Sequence, residues 1–115
     1  MRDLMLVLKA VADKNRMRIL KMLEKKNMCV CELAAVLEIT QPSVSKHLSI
    51  LKNAGFIEDA RSGQWIEYST CHTRINEYAP VLQATVKKLI NDDPLIMADR
   101  EKAKNLDRVL ICKKD

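Results

Sequence analysis

Apolar positions recur at helical spacing through the first half of the chain. Residues 4–11 are apolar almost all round, which predicts a first helix that must be covered on more than one side. A second helix is predicted after Asp13, whose carboxylate can cap it, and Lys25 and Lys26 place positive charge at its C-terminal end. The predicted inward stripe of this second helix consists of Met17, Ile19, Leu20 and Leu23.

Two short helices joined by a tight turn are predicted next. The inward face of the first one is formed, at spacings of three and four, by Leu33, Val36 and Leu37. Thr40 can cap the second one, and Pro42 fits its first turn because a missing N–H costs nothing there. This helix runs to about Ala54 and ends at Gly55. Such a pair, with small polar residues opening the second helix, is typical of a helix-turn-helix.

The period of the pattern changes from helical to alternating beyond Gly55. Residues 56–60 and 64–69 predict two strands around residues 61–63, which form a turn that contains a glycine. A hairpin directly after a helix-turn-helix is a wing. The segment therefore predicts a mainly α fold with a small β-hairpin, that is, a winged helix-turn-helix.

The C-terminal part returns to helical spacing. Residues 73–91 predict a helix in which Pro80 must introduce a kink or mark the true start. A polar helix is predicted over residues 99–107, followed by an apolar end at residues 109–112.

The charge balance favours a polyanionic partner. Twenty Lys and Arg against fifteen Asp and Glu give a net charge of +5, and nucleic acid is the commonest polyanion. No apolar run approaches the roughly 18 residues that a membrane span requires, and the N-terminus is a poor signal peptide. We therefore expect a cytoplasmic protein, in which the four cysteines are reduced thiols, metal ligands or redox switches rather than structural disulfides.

The second helix of the predicted helix-turn-helix presents a polar face. At about 100° per residue, Val44, Leu48 and Leu51 share one inner side. The residues on the opposite side are Ser43, Lys46, His47 and Ile50. A solvated surface is the ordinary interpretation of such a face, but the glycine stop and the wing that follow favour DNA binding. The candidate DNA-contacting residues on this helix and at the wing tip are Gln41, Ser43, Ser45, Lys46, His47, Arg61 and Gln64.

Three stretches resemble the ArsR/SmtB family of bacterial metal-sensing repressors. Residues 12–20 are similar to the family's second-helix signature, residues 28–33 to its thiolate box, and residues 41–55 to its recognition helix. The resemblance implies a winged-helix homodimer that binds an inverted repeat in an operator and loses repression when a sensor site is filled. We expect residues 1–91 to form the DNA-binding and dimerisation domain, and residues 92–115 a C-terminal tail that is partly helical.

Cys29 and Cys31 are the candidate sensor ligands. In a regular helix they would lie about 200° apart, so they converge on one ion only if Cys29 precedes the helix or if binding unwinds its first turn. Thiolates select soft ions, and the expected inducer is As(III) or Sb(III), with Cd(II), Pb(II) and Bi(III) as alternatives. A third thiolate must come from Cys112, Cys71 or another molecule, and we take Cys112 as the third ligand.

Two features depart from the known subgroups of this family. Ala34 stands where the arsenic-sensing subgroup carries a third cysteine. No histidine follows His72, so the zinc site that other members build on a C-terminal helix is not expected.

Two other functions stay open on the sequence alone. A thiol redox switch would pair Cys29 or Cys31 with Cys112 or Cys71, because cysteines two positions apart form a strained bridge. A thiol-based metal carrier would show no salt-dependent binding to duplex DNA. We do not expect an enzyme, since there is no glycine-rich phosphate loop, and His72 beside Cys71 need not meet it in space.

Overall fold

The computed structural model describes residues 1–71 and 73–112, so His72 and residues 113–115 lie outside the described part. Over these ranges the chain forms seven helices and one antiparallel pair of strands. The architecture is the predicted winged helix-turn-helix, mainly α with a small hairpin. In chain order the elements are α1 (Arg2–Val11), α2 (Lys14–Leu23), α3 (Val30–Leu37), α4 (Gln41–Ala54), β1 (Ile57–Ser62), β2 (Trp65–Thr70), α5 (Ala79–Lys87), α6 (Pro94–Lys104) and α7 (Arg108–Ile111).

The first two helices are fastened together at their junction. The Asp13 carboxylate accepts the backbone N–H of Arg16 at 3.0 Å and caps α2 as predicted, which also lowers the pKa of Asp13. The Arg16 side chain in turn donates to the carbonyl oxygens of Lys9 and Ala10 at the end of α1. Of the predicted stripe on α2, Met17 is half-buried, whereas the fully buried members are Ile19, Leu20 and Leu23.

Helices α3 and α4 form the predicted helix-turn-helix. Thr40 Oγ1 accepts the N–H of Ser43 at 3.3 Å and caps α4, and Gly55 ends it with a φ of +94°. The structure therefore confirms both predicted ends of this helix. The apolar faces of the two helices are buried against each other and against α1 and α2, through Leu33, Val36, Leu37, Val44, Leu48 and Leu51.

Replacing Gly55 with alanine is expected to destabilise the fold more than the same change at Gly63. Both glycines have positive φ, +94° and +61°, and an alanine is strained there by about 1–2 kcal/mol. At Gly55 the new Cβ would also lie 2.8 Å from Cγ1 of Ile75, whereas nothing lies within 4 Å at Gly63. Urea unfolding should give Gly55→Ala the lower midpoint, and equal midpoints would contradict the steric explanation.

The wing turns one residue later than the sequence suggested. Arg61 and Ser62 belong to β1, because they pair with Ile66 and Trp65 in the antiparallel ladder. The turn is the two-residue connection that begins at Gly63, so the predicted turn over residues 61–63 is wrong. A two-residue turn with a left-handed glycine matches the twist of the paired strands.

The helix predicted over residues 73–91 is shorter than expected. It begins at Ala79, so Pro80 marks its true start rather than a kink. Before it, the Asn76 side chain accepts the N–H of Ala79 at 2.8 Å and donates to the carbonyl oxygen of Ala54 at 2.8 Å. These bonds hold the connection against the end of α4, directly before α5 begins.

The polar helix expected over residues 99–107 begins earlier, at Pro94. The Asp93 carboxylate accepts the N–H of Leu95 at 2.9 Å and caps α6, and Pro94 occupies its first turn. α6 ends at Lys104 and is followed by the separate short helix α7. No helix in the described ranges is long and apolar enough to cross a membrane.

α6 is docked along α2 by buried polar contacts. Asp99 is 1% exposed and accepts two hydrogen bonds from the Arg18 guanidinium, at 2.8 and 2.9 Å. Arg100 donates to Glu24 at 2.9 Å. α6 therefore packs along α2, and α7, which follows it, contacts α3.

Candidate metal centre and nucleic-acid interface

Three cysteines converge where α3 begins. Cys29 is the N-cap of α3, with an extended backbone, and its sulfur lies 3.2 Å from the sulfur of Cys31 and 3.4 Å from that of Cys112. All three sulfur atoms lie within 4.8 Å of one another, and Cys31 and Cys112 are joined as a disulfide. Of the two routes to convergence left open by the sequence, the structure shows the first, because Cys29 precedes the helix.

The donor set of this thiol cluster (Cys29, Cys31 and Cys112) fits a soft ion. Cys29 and Cys112 are buried and Cys31 is half-buried, so the cluster is shielded but reachable from one side. Once the disulfide is reduced, three sulfur ligands are available at mutual distances that one ion can span. Three sulfur donors favour a thiophilic ion over one that prefers oxygen.

Glu32 links the cluster to the C-terminal helix. It is 1% exposed, and one of its oxygens accepts from the Cys29 N–H at 3.0 Å, the Cys29 thiol at 3.3 Å and the Arg108 guanidinium at 2.8 Å. Burial alone would raise the pKa of Glu32, but these donors outweigh it and bring that pKa below its ordinary value. Burial raises the pKa of the Cys29 thiol, and its bond to the carboxylate adds to the shift.

Neither Glu32 nor Arg108 was among the site residues predicted from the sequence. The pattern Cys29-x-x-Glu32 is related to a capping box, in which a glutamate three residues into a helix accepts the N-cap N–H. That signal could have found Glu32. No local pattern marks Arg108, since its partner Glu32 lies 76 positions earlier in the chain.

The C-terminal cysteine is also tied to the wing. The indole N–H of Trp65 donates to the carbonyl oxygen of Cys112 at 3.3 Å. Cys71, which sequence analysis considered as another source of the third thiolate, lies outside the cluster and its thiol donates to the Thr73 carbonyl at 2.9 Å. The pairing of Cys71 with His72 falls outside the described residues.

The candidate DNA-contacting residues are not equally exposed. On α4, His47 is half-buried, with its Nδ1 atom 3.2 Å from the Arg16 guanidinium and 3.9 Å from the Asp13 carboxylate. On the wing, Arg61 is exposed and donates to the Gly63 carbonyl at 3.5 Å. The other exposed candidates are Gln41, Ser43, Ser45, Lys46 and Gln64.

Comparison with known proteins identifies the family. A sequence profile described as "Bacterial regulatory protein, arsR family" matches residues 13–59. The arsenic resistance transcriptional regulator ArsR2 of Pseudomonas putida is 34% identical over 87 residues, which cover 70% of this chain and 71% of that protein. The chain belongs to the ArsR family.

Two further proteins are similar to this chain. The arsenic resistance transcriptional regulator ArsR1 of Pseudomonas putida is 42% identical over 64 residues, or 55% of this chain. The chain spans only 50% of the length of ArsR1. The NMR structure of the cadmium metal-sensor CmtR from Mycobacterium tuberculosis superposes with a TM-score of 0.58 at 28% identity, over 76% of this chain and 84% of that one.

The family profile divides the thiol cluster. Its matched region runs from the N-cap of α2 into β1 and includes Cys29 and Cys31, together with α3 and α4. Cys112 and Arg108 lie beyond it. The ArsR-family helix-turn-helix therefore supplies two sulfur atoms, and the C-terminal segment of this chain supplies the third.

Proposed function

We propose that this ArsR-family protein is a DNA-binding transcriptional repressor that a thiophilic ion, As(III) or Sb(III) first of all, releases from its operator. The observation that carries the proposal is the position of the thiol cluster. Three sulfur atoms within 4.8 Å of one another stand at the first turn of the helix-turn-helix. Oxidation of these sulfurs, or an ion bound to them, would therefore act directly on the helix-turn-helix that would contact DNA.

The outer face of α4 supports DNA binding. Gln41, Ser43, Ser45 and Lys46 are exposed along the start of the helix, while its buried apolar side chains include Val44, Leu48 and Leu51. The net charge of +5 adds attraction for the phosphate backbone. His47 contacts Arg16 and Asp13 at the edge of this face. There it would orient α4 on α2 and would contact DNA only at the border of the binding surface.

Replacing Lys46 with alanine is expected to weaken binding to a duplex selected from a random library by the wild-type protein. The loss of one phosphate contact should lower affinity similarly for all sequences and reduce the slope of log affinity against log salt by about one. Fluorescence anisotropy at several NaCl concentrations measures both. Lys104→Ala, an equal charge change on α6, is the control. A wild-type slope for Lys46→Ala would exclude that contact.

Exposed apolar residues support the homodimer that the proposal includes. On α1, Met5, Leu6 and Leu8 are exposed although the helix also contributes buried residues to the core. At and after α5, Val81, Leu89 and Ile90 are exposed as well. Apolar faces of this kind are covered by a partner in symmetric dimers, and a dimer would read two halves of an inverted repeat.

Cys29, Cys31 and Cys112 would hold the inducing ion after reduction of the disulfide. The ion would supply strong bonds to soft sulfur ligands. Cys29 caps α3 and Cys31 lies in its first turn, so the positions of both sulfurs depend on how α3 begins. Because α3 packs on α4, a rearrangement at the start of α3 would displace α4, the helix that would contact DNA. The similarity to ArsR1, an arsenic resistance regulator, and to CmtR, a cadmium sensor, supports this ion class.

Titration with arsenite, after a phosphine has reduced the disulfide, tests the proposal. Near-ultraviolet absorption follows ion–thiolate bonds, and the single tryptophan, Trp65, reports on the cluster because its indole bonds to Cys112. We expect one ion per chain, and release of the selected duplex at the same stoichiometry. A protein that binds arsenite at these thiols and still holds the duplex would refute the proposal.

A redox-responsive repressor of the same fold is the second candidate, favoured by the disulfide between Cys31 and Cys112, whose Cα atoms are 5.5 Å apart. Two thiols would give up two electrons and two protons to hydrogen peroxide, forming one S–S bond and two water molecules. Mass spectrometry should then show a reversible loss of two hydrogens together with lost duplex affinity. Loss of affinity in Cys112→Ser under peroxide would exclude this pairing as the switch.

A further inference from the structure

Arg108 joins three elements that meet at the thiol cluster. From α7, its guanidinium donates to Glu32 on α3 through Nε at 3.0 Å and Nη2 at 2.8 Å. Through Nη1 it donates to Glu67 on β2 at 2.8 Å. The same guanidinium lies 5.5 Å from the centre of the Trp65 ring, also on β2. A single side chain therefore connects α7, which Cys112 directly follows, to α3 and to the wing.

The wing and the cluster also share backbone contacts. The N–H of Met28 donates to the Tyr68 carbonyl at 3.1 Å, and the N–H of Tyr68 donates to the Met28 carbonyl at 2.8 Å. Met28 directly precedes Cys29, so β2 is attached to the segment from which the first sulfur projects. The two sides of the cluster, at Cys29 and at Cys112, thus both contact one strand.

The geometry at Arg108 needs an arginine. The planar guanidinium directs two N–H groups to one carboxylate and a third to another, while its face contacts an aromatic ring. Lys carries a single point charge and cannot hold both partners in this way. Glu32 is almost fully buried and Glu67 is about one quarter exposed, so these pairs are far less screened by solvent than surface ion pairs.

We propose that Arg108 is the positioning residue through which the thiol cluster acts on the wing: it holds Cys112 against α3 and transmits a displacement of α7 to β2 through Glu67. The inference rests on the proposed function, because it concerns how occupancy of the cluster reaches the operator-binding surface. It adds a second route beside the contact of α3 with α4. Coupling of this kind is a property of two sites, and it is measured as the change that one ligand causes in the affinity of the other.

Alanine substitution of Glu67 tests the route without removing a sulfur ligand. Glu58→Ala is the matched control, because Glu58 is also half-buried and lies on the same face of the hairpin as Glu67. The strand register shows this shared face, since Glu58 pairs with Ser69 and Glu67 pairs with Ala60. Three quantities are measured for each protein: arsenite affinity by absorption, hydrogen exchange of residues 57–70 with and without arsenite in the absence of DNA, and the ratio of duplex affinities without and with arsenite.

We expect arsenite to alter exchange in the wing of the wild-type protein and of Glu58→Ala, but much less in Glu67→Ala. Arsenite affinity should stay within about threefold in all three proteins, while the duplex ratio of Glu67→Ala should fall about fivefold or more. Equal exchange responses in Glu67→Ala and Glu58→Ala would overturn the inference. If arsenite leaves wild-type duplex affinity unchanged, the proposed function fails, and the DNA-free exchange measurement still decides whether Arg108 and Glu67 transmit the signal.

Discussion

Replacing Cys31 with serine is expected to abolish the response to arsenite and leave duplex binding intact. Cys31 contributes one of only three sulfur atoms in the cluster and is half-buried in the first turn of α3. A serine hydroxyl is a hard oxygen donor that a soft ion binds poorly. The affinity loss should exceed about 100-fold, the upper end for the loss of a residue that only supports a ligand.

The outer face of α4 is untouched by this substitution, so the variant should remain bound to the selected duplex at arsenite concentrations that release the wild type. Cys29→Ser and Cys112→Ser should behave in the same way if all three sulfurs are ligands. Cys71→Ser is the control, because that thiol lies outside the cluster and bonds to Thr73. Full release of Cys31→Ser by arsenite would show that the cluster is not the sensor.

Removing the Asp99 carboxylate is expected to cost the fold about 3 kcal/mol, the lower end for breaking a buried ion pair. Asp99 is almost fully buried and Arg18 is 15% exposed, so Asp99→Ala leaves the guanidinium with few other partners and little water. Urea unfolding followed by circular dichroism measures the loss. Because the pair fastens α6 to α2, arsenite affinity should fall as well, through poorer placement of Cys112.

An exposed ion pair provides the control for Asp99. Lys52 and Asp59 are 3.0 Å apart, with side chains 50% and 30% exposed, and Asp59→Ala should cost no more than about 1 kcal/mol. If the two alanine variants unfold at the same urea concentration, the contact between α2 and α6 is not an anchor of the C-terminal segment.

The sequence predicted those helix ends that are fixed by residues close to one another along the chain. Asp13 and Thr40 cap helices because their side chains accept N–H groups only three residues away, and Gly55 ends α4 because it adopts a left-handed backbone. The start of α6 was predicted too late, at residue 99, although Asp93 and Pro94 open the helix. An Asp-Pro pair can follow one helix or open the next, and only the packing of α6 on α2 decides between the two.

The pattern of hydrophobic and polar positions along the chain did not predict the buried charged side chains. Lys21 is 0% exposed, and its ammonium donates to the carbonyl of Val86 at 2.8 Å and pairs with Glu24 at 2.9 Å. In sequence it is one more lysine on a polar helix. Likewise, the sequence left Cys112 as one of several possible sources of the third sulfur, and the side chain that holds it at the cluster, Arg108, gave no signal. Partners this remote in sequence are brought together by the fold.

The bond between Cys31 and Cys112 makes oxidation and the binding of a soft ion compete for the same two sulfur atoms. A sulfur that is half of a disulfide has no thiolate to offer an ion, and a sulfur engaged by an ion is no longer a free nucleophile for an oxidant. Oxidising conditions would thus blunt detection of soft ions, and a captured ion would guard the same atoms from oxidation. The redox state of this pair would therefore set how many protein molecules can take up an ion at the proposed site.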